Sequence, residues 1–238
     1  MDPFAFFEQI YCINLDCRPE RWQAVCREFD AVGILHRVQR FSGIEHEHPR
    51  RGCALSHMAC IEKARRSGCR NVLIFEDDLR WRRWDEELFE RAVGILKRDN
   101  RWELFYLGGR LKRQARVISP EVLESRLWGG HAYAVSHRAY ARMVDVELPL
   151  DVWYSHTFCS YCIRPLMAVQ AKGFSDIKGS HIENKEDIFD KYYQENTRYV
   201  EGQLSTDPLR RLKARVGMRI ARLQAFLRSL PAGQTTYK

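Results

Sequence analysis

The sequence predicts an α/β domain with a mostly parallel central sheet, followed by a basic amphipathic helix. Two observations carry the α/β reading. Short apolar runs bounded by turn residues alternate with stretches of helical periodicity between residues 8 and 109. Such an alternation of strand and helix is the signature of parallel strands joined by helical crossovers. At 238 residues and 45% hydrophobic content, the chain is also long enough for one sizeable core. The division expected is one domain over 1–205 and a helical tail over 206–238.

EQIYCINLD (8–16) reads as the first buried strand, with Tyr11, Ile13 and Leu15 alternating with small or polar residues. RPERWQAVCREFDAVG (18–33) reads as a helix: Pro19 suits its first turn, Trp22, Val25, Phe29 and Val32 share a face, and Gly33 ends it. HRVQRFSG (36–43) is a second strand, and CALSHMACIEKARRSG (53–68) a second helix stopped by Gly68. NVLIFED (71–77) reads as a strand buried on both faces, because four apolar residues stand between turn signals. WDEELFERAVGILKR (84–98) reads as a helix and WELFYLGG (102–109) as a strand. Beyond residue 110 the pattern changes. ARVIS (115–119) suits a strand, WGGHAYAVS (128–136) a bend entering a strand, SHRAYARMVDVE (136–147) a helix and IRPLMAVQ (163–170) a late strand, with AKGFSDIKGSHIEN loop-like.

The eight cysteines make up about 3% of the chain, well under the roughly 8–10% of disulfide scaffolds. They are expected to be mostly reduced, buried residues. Cys159 and Cys162 form a C-x-x-C, but no second C-x-x-C supplies further zinc ligands. No run of eighteen apolar residues occurs, and the start MDPFAFFEQIYCINL is acidic where an export signal is basic, so a cytosolic protein is expected. The formal charge of +8 favours anionic partners without specifying them. Much of it sits in 208–230, where Arg210, Arg211, Lys213, Arg215, Arg219, Arg222 and Arg228 flank an apolar stripe of Leu209, Leu212, Val216, Ile220, Leu223, Leu227 and Leu230. Such a helix suits an anionic membrane surface, and equally suits packing on the domain or a partner subunit. The sequence sets no oligomeric state.

Glu76, Asp77 and Asp78 follow the apolar strand 72–75 directly. Three adjacent carboxylates repel one another and lose hydration where buried, so they require basic groups, backbone N–H groups or a cation. A hard divalent ion such as Mn²⁺ or Mg²⁺ takes carboxylate oxygens and completes its shell with phosphate oxygens. A strand-to-loop junction paired with Arg80, Arg82 and Arg83 would satisfy the same charges.

The stretches YCINLDCRPERW (11–22), RFSGI (40–44), GCALSHMACIEKARRSG (52–68), VLIFEDD (72–78), FYLGG (105–109), WGGHAYAVSHRAYARM (128–143), PLDVWYS (149–155) and QAKGFSDIKGSH (170–181) resemble glycosyltransferase family 25. That group includes bacterial lipooligosaccharide galactosyltransferases and collagen galactosyltransferases. The likeness covers about 170 residues in order. It implies a GT-A-type, Rossmann-like fold and transfer of a hexose, galactose or glucose, from a UDP-sugar to a saccharide or glycolipid acceptor in surface glycan assembly. Localisation would then be cytoplasmic, with peripheral contact to the inner membrane face.

On that resemblance Asp78 is the first metal ligand, with Glu76 and His181 completing the protein's set. Glu76 and Asp77 would contact the ribose or orient the site, while Asn14, Asp16, Arg18 and Arg21 would receive the nucleotide, Arg offering pyrophosphate a planar fork of donors. Ser56 and His57 would line the donor pocket, or His57 would be satisfied within the core. Trp128 and Gly130 would face the sugar, glycine permitting close approach of backbone to ligand. Inversion at the sugar needs a carboxylate to take the acceptor's proton. Asp151 fits that role, as it also fits a helix N-cap, and Asp176 is the second candidate. A different class, a nucleic-acid-binding or nucleic-acid-glycosylating protein using the basic tail, lacks any recognisable groove-reading motif. A degenerate transferase fold kept as a binding module is the third reading, and the intact EDD, Asp151 and His181 speak against it.

Overall fold

The computed structural model describes residues 2–111, 115–143, 149–175, 179–182, 200–209, 211, 212 and 216, with the backbone alone at 174, 181 and 182. A 3-10 turn at Pro3–Phe6 precedes strand β1 (Gln9–Asn14), helix α1 (Pro19–Ala31), β2 (Gln39–Ser42), α2 (Pro49–Arg66) and β3 (Asn71–Glu76). Then come β4 (Leu79–Trp81), α3 (Glu86–Arg98), β5 (Leu104–Tyr106), β6 (Arg110–Leu111), β7 (Arg116–Ser119), β8 (Val122–Glu124) and β9 (Leu127–Trp128). The rest are β10 (Ala132–Ser136), α4 (His137–Tyr140), α5 (Leu150–Thr157), β11 (Ser160–Ile163), β12 (Ala168–Gln170), β13 (Gly173–Ser175) and β14 (Ser180–Ile182).

Eight strands make the central sheet in the order β2-β1-β3-β10-β5-β11-β8-β7. β1 runs parallel to β2 and β3, and β5 parallel to β11, while β10 and β8 run against their neighbours. The sheet is therefore mostly parallel by strand direction, with β10 inserted in reverse at its centre. Strand alternation divides the core in two. Leu73 and Phe75 join Val25 and Phe29 of α1 and Phe89 and Val93 of α3 on one face. Val72 and Ile74 join Cys60, Ile61 and Ala64 of α2, together with Tyr133 and Tyr154, on the other. Helix α3 has every local signal in place: Asp85 caps it by accepting from Leu88 N at 2.9 Å, Glu86 and Glu87 open it, and Lys97 and Arg98 close it.

Several expected elements differ in extent. Helix α2 starts four residues before Cys53, with Pro49 in its first turn, where a missing N–H costs nothing. The late strand 163–170 is two strands, β11 and β12, separated around Pro165, which cannot donate to a ladder. The helix expected over 136–147 is a single turn as far as residue 143, and 144–148 lie outside the described residues. The loop-like stretch after 170 holds the hairpin β13-β14. Cys159 packs against one face of the sheet and Cys162 lies in the core of the other, since residues three apart on extended backbone point oppositely, so this C-x-x-C is not a paired dithiol. All eight cysteines are free thiols.

Residues 200–204 are helical and return to the domain: Val200 is buried, and Gln203 donates to Ala115 O at 3.0 Å and accepts from Val117 N at 3.1 Å. Leu209, Leu212 and Val216 are exposed. Most of the basic tail lies outside the described residues. Among those described, no helix is long and apolar enough to cross a membrane.

Candidate active site at the carboxyl ends of the strands

The carboxyl ends of β1 and β3 lie side by side, Ile13 standing opposite Glu76. Ligands of parallel sheets gather at such ends. Alternation along the chain sends Asp77 to one face and Glu76 and Asp78 to the other, so the acidic triplet is two structures.

On the α1 face, Asp77 is 7% exposed. Its Oδ1 accepts from Arg21 Nη1 at 3.0 Å and its Oδ2 from Asn14 Nδ2 at 2.8 Å. Asn14, itself buried, also donates to Arg18 O at 3.0 Å and accepts from Arg40 Nε at 2.8 Å. Arg40 reaches on to Asp16 Oδ1 at 2.7 Å and lies 5.8 Å from the centre of the Trp22 ring. Asp16 also accepts from Ser42 Oγ at 3.0 Å and is exposed. Arg18 stands at the N-cap of α1, its Nη1 3.8 Å from Glu20 Oε1. Burial pushes the Asp77 carboxyl up to about 6, against the pull of Arg21 and Asn14; Asp78 and Glu76 add to the rise.

On the α2 face, Gln170 Nε2 donates to Glu76 Oε2 at 3.2 Å and lies 3.3 and 3.5 Å from the two Asp78 carboxylate oxygens. One amide nitrogen thus bridges both carboxylates. The pairing of β12 with β4 puts it there, by setting Gln170 opposite Leu79 and the Ala171 amide on Asp78 O at 2.6 Å. Gly108 lets that segment cross the end of β5, since a Cβ there would stand 2.2 Å from Ala168 O and 2.3 Å from His131 Nε2. The other Glu76 oxygen, Oε1, lies 3.3 Å from His57 Nε2, and His57 Nδ1 lies 3.0 Å from the Tyr133 hydroxyl. Gly130 stands above this group: a Cβ would meet Glu76 Oε1 at 3.0 Å. Trp128, half-buried in β9, precedes that bend, and α5 packs beside β9.

Asp151 lies in the first turn of α5, where Pro149 is the N-cap, and its Oδ1 accepts from Val152 N at 2.9 Å. Asp151 thus lies inside the first turn and not at the N-cap position, and among the described residues no side chain caps α5. Burial raises the Asp151 carboxyl above its ordinary range, Glu76 raises it further, and backbone N–H groups of Val152 and Gly129 oppose the rise. The thiol of Cys53 is pushed well up by burial and then by Glu76, Asp151 and Asp78. Ser56 does not open towards this cleft as a free hydroxyl: it accepts from Ile44 N and donates to Gly52 O, both at 2.8 Å, tying the approach to α2 onto the helix.

Of the residues singled out from sequence, Glu76, Asp78, Gly130 and Asp151 converge on one cleft, and Asn14, Asp16, Arg18, Arg21 and Asp77 form a polar network across the sheet from it. Asp176 lies outside the described residues, and His181 is placed only as backbone in β14, paired with Phe174 of β13. Arg80 makes its ion pair with Glu28 at 3.5 Å. Three contributors escape a sequence reading: Arg40, Gln170 and Cys53. RFSGI, QAKGFSDIKGSH and GCALSHMACIEKARRSG hold all three within matched motifs, yet only the tertiary pairing of the elements shows what they meet.

Two carboxylates held to one nitrogen fit a hard cation, because the amide's positive end already occupies the position between them that such an ion would take.

No protein-family model matches the chain. Among curated proteins it is similar to "Probable inactive glycosyltransferase 25 family member 3" of Rattus norvegicus, 30% identical over 53% of this chain and 27% of that protein. "Glycosyltransferase 25 family member" of Anopheles gambiae is 30% identical over 42% of this chain and 21% of that protein, and the Drosophila melanogaster protein of the same name is 26% identical over 53% and 25%. The chain thus spans about a quarter of the length of the curated relatives it matches. Among solved structures, A197 from STIV aligns with a TM-score of 0.43 at 11% identity, over 75% of this chain and 94% of that one. Mannose-1-phosphate geranyltransferase from Thermus thermophilus aligns with a TM-score of 0.38 at 10% identity, over 65% and 72%. Both scores fall below the level at which a shared fold is inferred. Over roughly half its length, this chain is similar to proteins of glycosyltransferase family 25.

Proposed function

We propose that the chain is a metal-dependent, inverting glycosyltransferase of GT-A type that moves a hexose, galactose or glucose, from a UDP-sugar to a saccharide or glycolipid acceptor. The observation that carries this is the carboxylate pair Glu76 and Asp78, bridged by Gln170 at a strand end, with a third carboxylate, Asp151, close enough for Glu76 to act on it. Mn²⁺ or Mg²⁺ bound there would supply a positive charge for the departing diphosphate.

The residues of the chain divide the remaining work. Glu76 and Asp78 present oxygen ligands, and Gln170 holds the two against their mutual repulsion. The guanidinium groups of Arg18, Arg21 and Arg40 set a positive field beside the first strand, suited to phosphate oxygens. Asp151 takes the proton from the acceptor hydroxyl. Its raised proton affinity favours that role, since a base works best when its pKa approaches the working pH. Gly130 leaves room for the sugar over Glu76. His181 and Asp176 remain the further ligand and the alternative base on the family resemblance. A role in lipooligosaccharide assembly fits a glycolipid acceptor, and the basic tail would meet the anionic membrane that carries it.

A panel of nucleotide sugars, each with and without Mn²⁺, tests this by thermal shift and by turnover. The proposal expects one UDP-hexose to raise Tm only with the metal and to be consumed in the presence of an acceptor. Metal-dependent binding without consumption would instead favour a binding module, a reading to which the rat relative's name gives a specific reason.

A further inference from the structure

Cys53 and His57 are four residues apart on α2, which sets their side chains on one face of the helix. That face meets the end of β3, where Cys53 Sγ, a ring nitrogen of His57 and a carboxylate oxygen of Glu76 lie within 4.8 Å of one another. Thiolate, imidazole and carboxylate are the ligand types of zinc. His57 Nε2 and Glu76 Oε1 are 3.3 Å apart, long for a charged hydrogen bond. A tetrahedral ion with bonds of about 2.1 Å to nitrogen and oxygen needs those atoms about 3.4 Å apart. The two donors therefore stand at one edge of such a tetrahedron. The sulfur needs to lie about 3.6 Å from each, a small adjustment of one short side chain.

The far side of the imidazole agrees. Metal-bound histidines commonly hold their other nitrogen on an outer partner, which fixes the ring and its tautomer. His57 Nδ1 lies 3.0 Å from the hydroxyl of Tyr133, and both residues are buried. With the proton on Nδ1, donated to the hydroxyl oxygen, the Nε2 lone pair is directed at Glu76. Asp78 and Asp151 add negative potential around the sulfur.

We propose that Cys53, His57 and Glu76 form a binding site for a zinc-class divalent ion, which shares Glu76 with the Glu76 and Asp78 pair and takes its other two ligands from α2. On binding, the S–H bond of Cys53 breaks, its proton passes to solvent, and the sulfur's electron pair forms the bond to the ion, displacing one of its waters. Three protein ligands leave a fourth position for water. Zinc held there takes Glu76 Oε1 and sets a positive charge beside the Glu76 and Asp78 pair, so on the transferase reading it competes with the transfer metal and inhibits transfer. The binding itself stands apart from that reading.

Titrating the metal-free full chain with Co²⁺, a spectroscopic stand-in for zinc, tests the site without any nucleotide sugar. A thiolate-to-cobalt charge-transfer band should grow to saturation at one equivalent, with one proton released, and Zn²⁺ should abolish it. Cys53→Ser should lose the band, while Cys17→Ser, at an exposed thiol, should keep it. Absence of the band in the unmodified protein, or its survival in Cys53→Ser, overturns the proposal. If Cys53→Ser does not fold by circular dichroism, Glu76→Gln decides: Co²⁺ affinity should fall by about tenfold or more, and unchanged affinity overturns the site.

Discussion

Asp77 offers a quantitative test of which force governs the acidic strand end. Its carboxylate is almost fully buried yet hydrogen-bonded to Arg21 and Asn14, so burial and attraction oppose each other. Burial prevails, carrying the group from 3.8 to about 6. A folded-state pKa above the unfolded one means that the folded protein binds more protons between those two values. The stability so gained is fully present below the unfolded pKa and is lost as pH rises through the folded one. The shift of about 2 units corresponds to about 3 kcal/mol. Asp77→Asn keeps the shape and removes the titration. Urea unfolding of both proteins in chelator, from about pH 4 to about pH 7, should therefore show the unmodified protein losing about 2 kcal/mol of that total relative to Asp77→Asn, since the lower end of that range already lies above the unfolded pKa. A difference constant across that range would refute the reasoning. Movement in the opposite sense would show that Arg21, not burial, sets the state of Asp77.

Further outcomes test the α2 face of the cleft and the tail. Asp151→Asn should leave UDP-sugar binding nearly unchanged while lowering the transfer rate by about 10²-fold or more; a drop under about tenfold would move the base to Asp176. Gln170→Leu should tighten Mn²⁺ binding, read by calorimetry, because the ion no longer has to displace the amide from between Glu76 and Asp78; equal or weaker binding would show that the ion does not take that position. Gly108→Ala should destabilise the fold by about 1–3 kcal/mol or more in urea titrations, because its Cβ would fall 2.2 Å from a backbone oxygen. In liposome flotation, the full chain should associate with anionic vesicles and a chain ending near residue 205 should not; equal behaviour would argue against a membrane role for the tail.

Much of the fold is legible in the sequence where one local signal decides. Val72 to Phe75 could be little but a strand buried on both faces, and the Asp85 cap with its flanking charges defines α3. The triplet's position at a strand end was legible too. Its partition was not, although alternation along an extended chain foretells it: Asp77 must face away from Glu76 and Asp78. What each face meets depends on long-range pairing. Gln170 reaches the carboxylates only because β12 pairs with β4 across about ninety residues of chain, and Arg40 reaches Asn14 only because β2 runs beside β1. Ser56 read as a pocket residue because its motif matched, whereas its hydroxyl is spent on Ile44 and Gly52. The late elements blur because strands of two to four residues carry too few alternations to register.

The central claim is that Glu76 and Asp78 grip a divalent ion that in turn grips a diphosphate. Calorimetric titration of UDP into the protein, with and without Mn²⁺, compared between the unmodified chain and Asp78→Ala, tests it most directly. The account predicts Mn²⁺-dependent UDP binding that Asp78→Ala abolishes while its circular dichroism and Tm stay close to those of the unmodified protein. Undiminished Mn²⁺-dependent binding in a folded Asp78→Ala protein would contradict it.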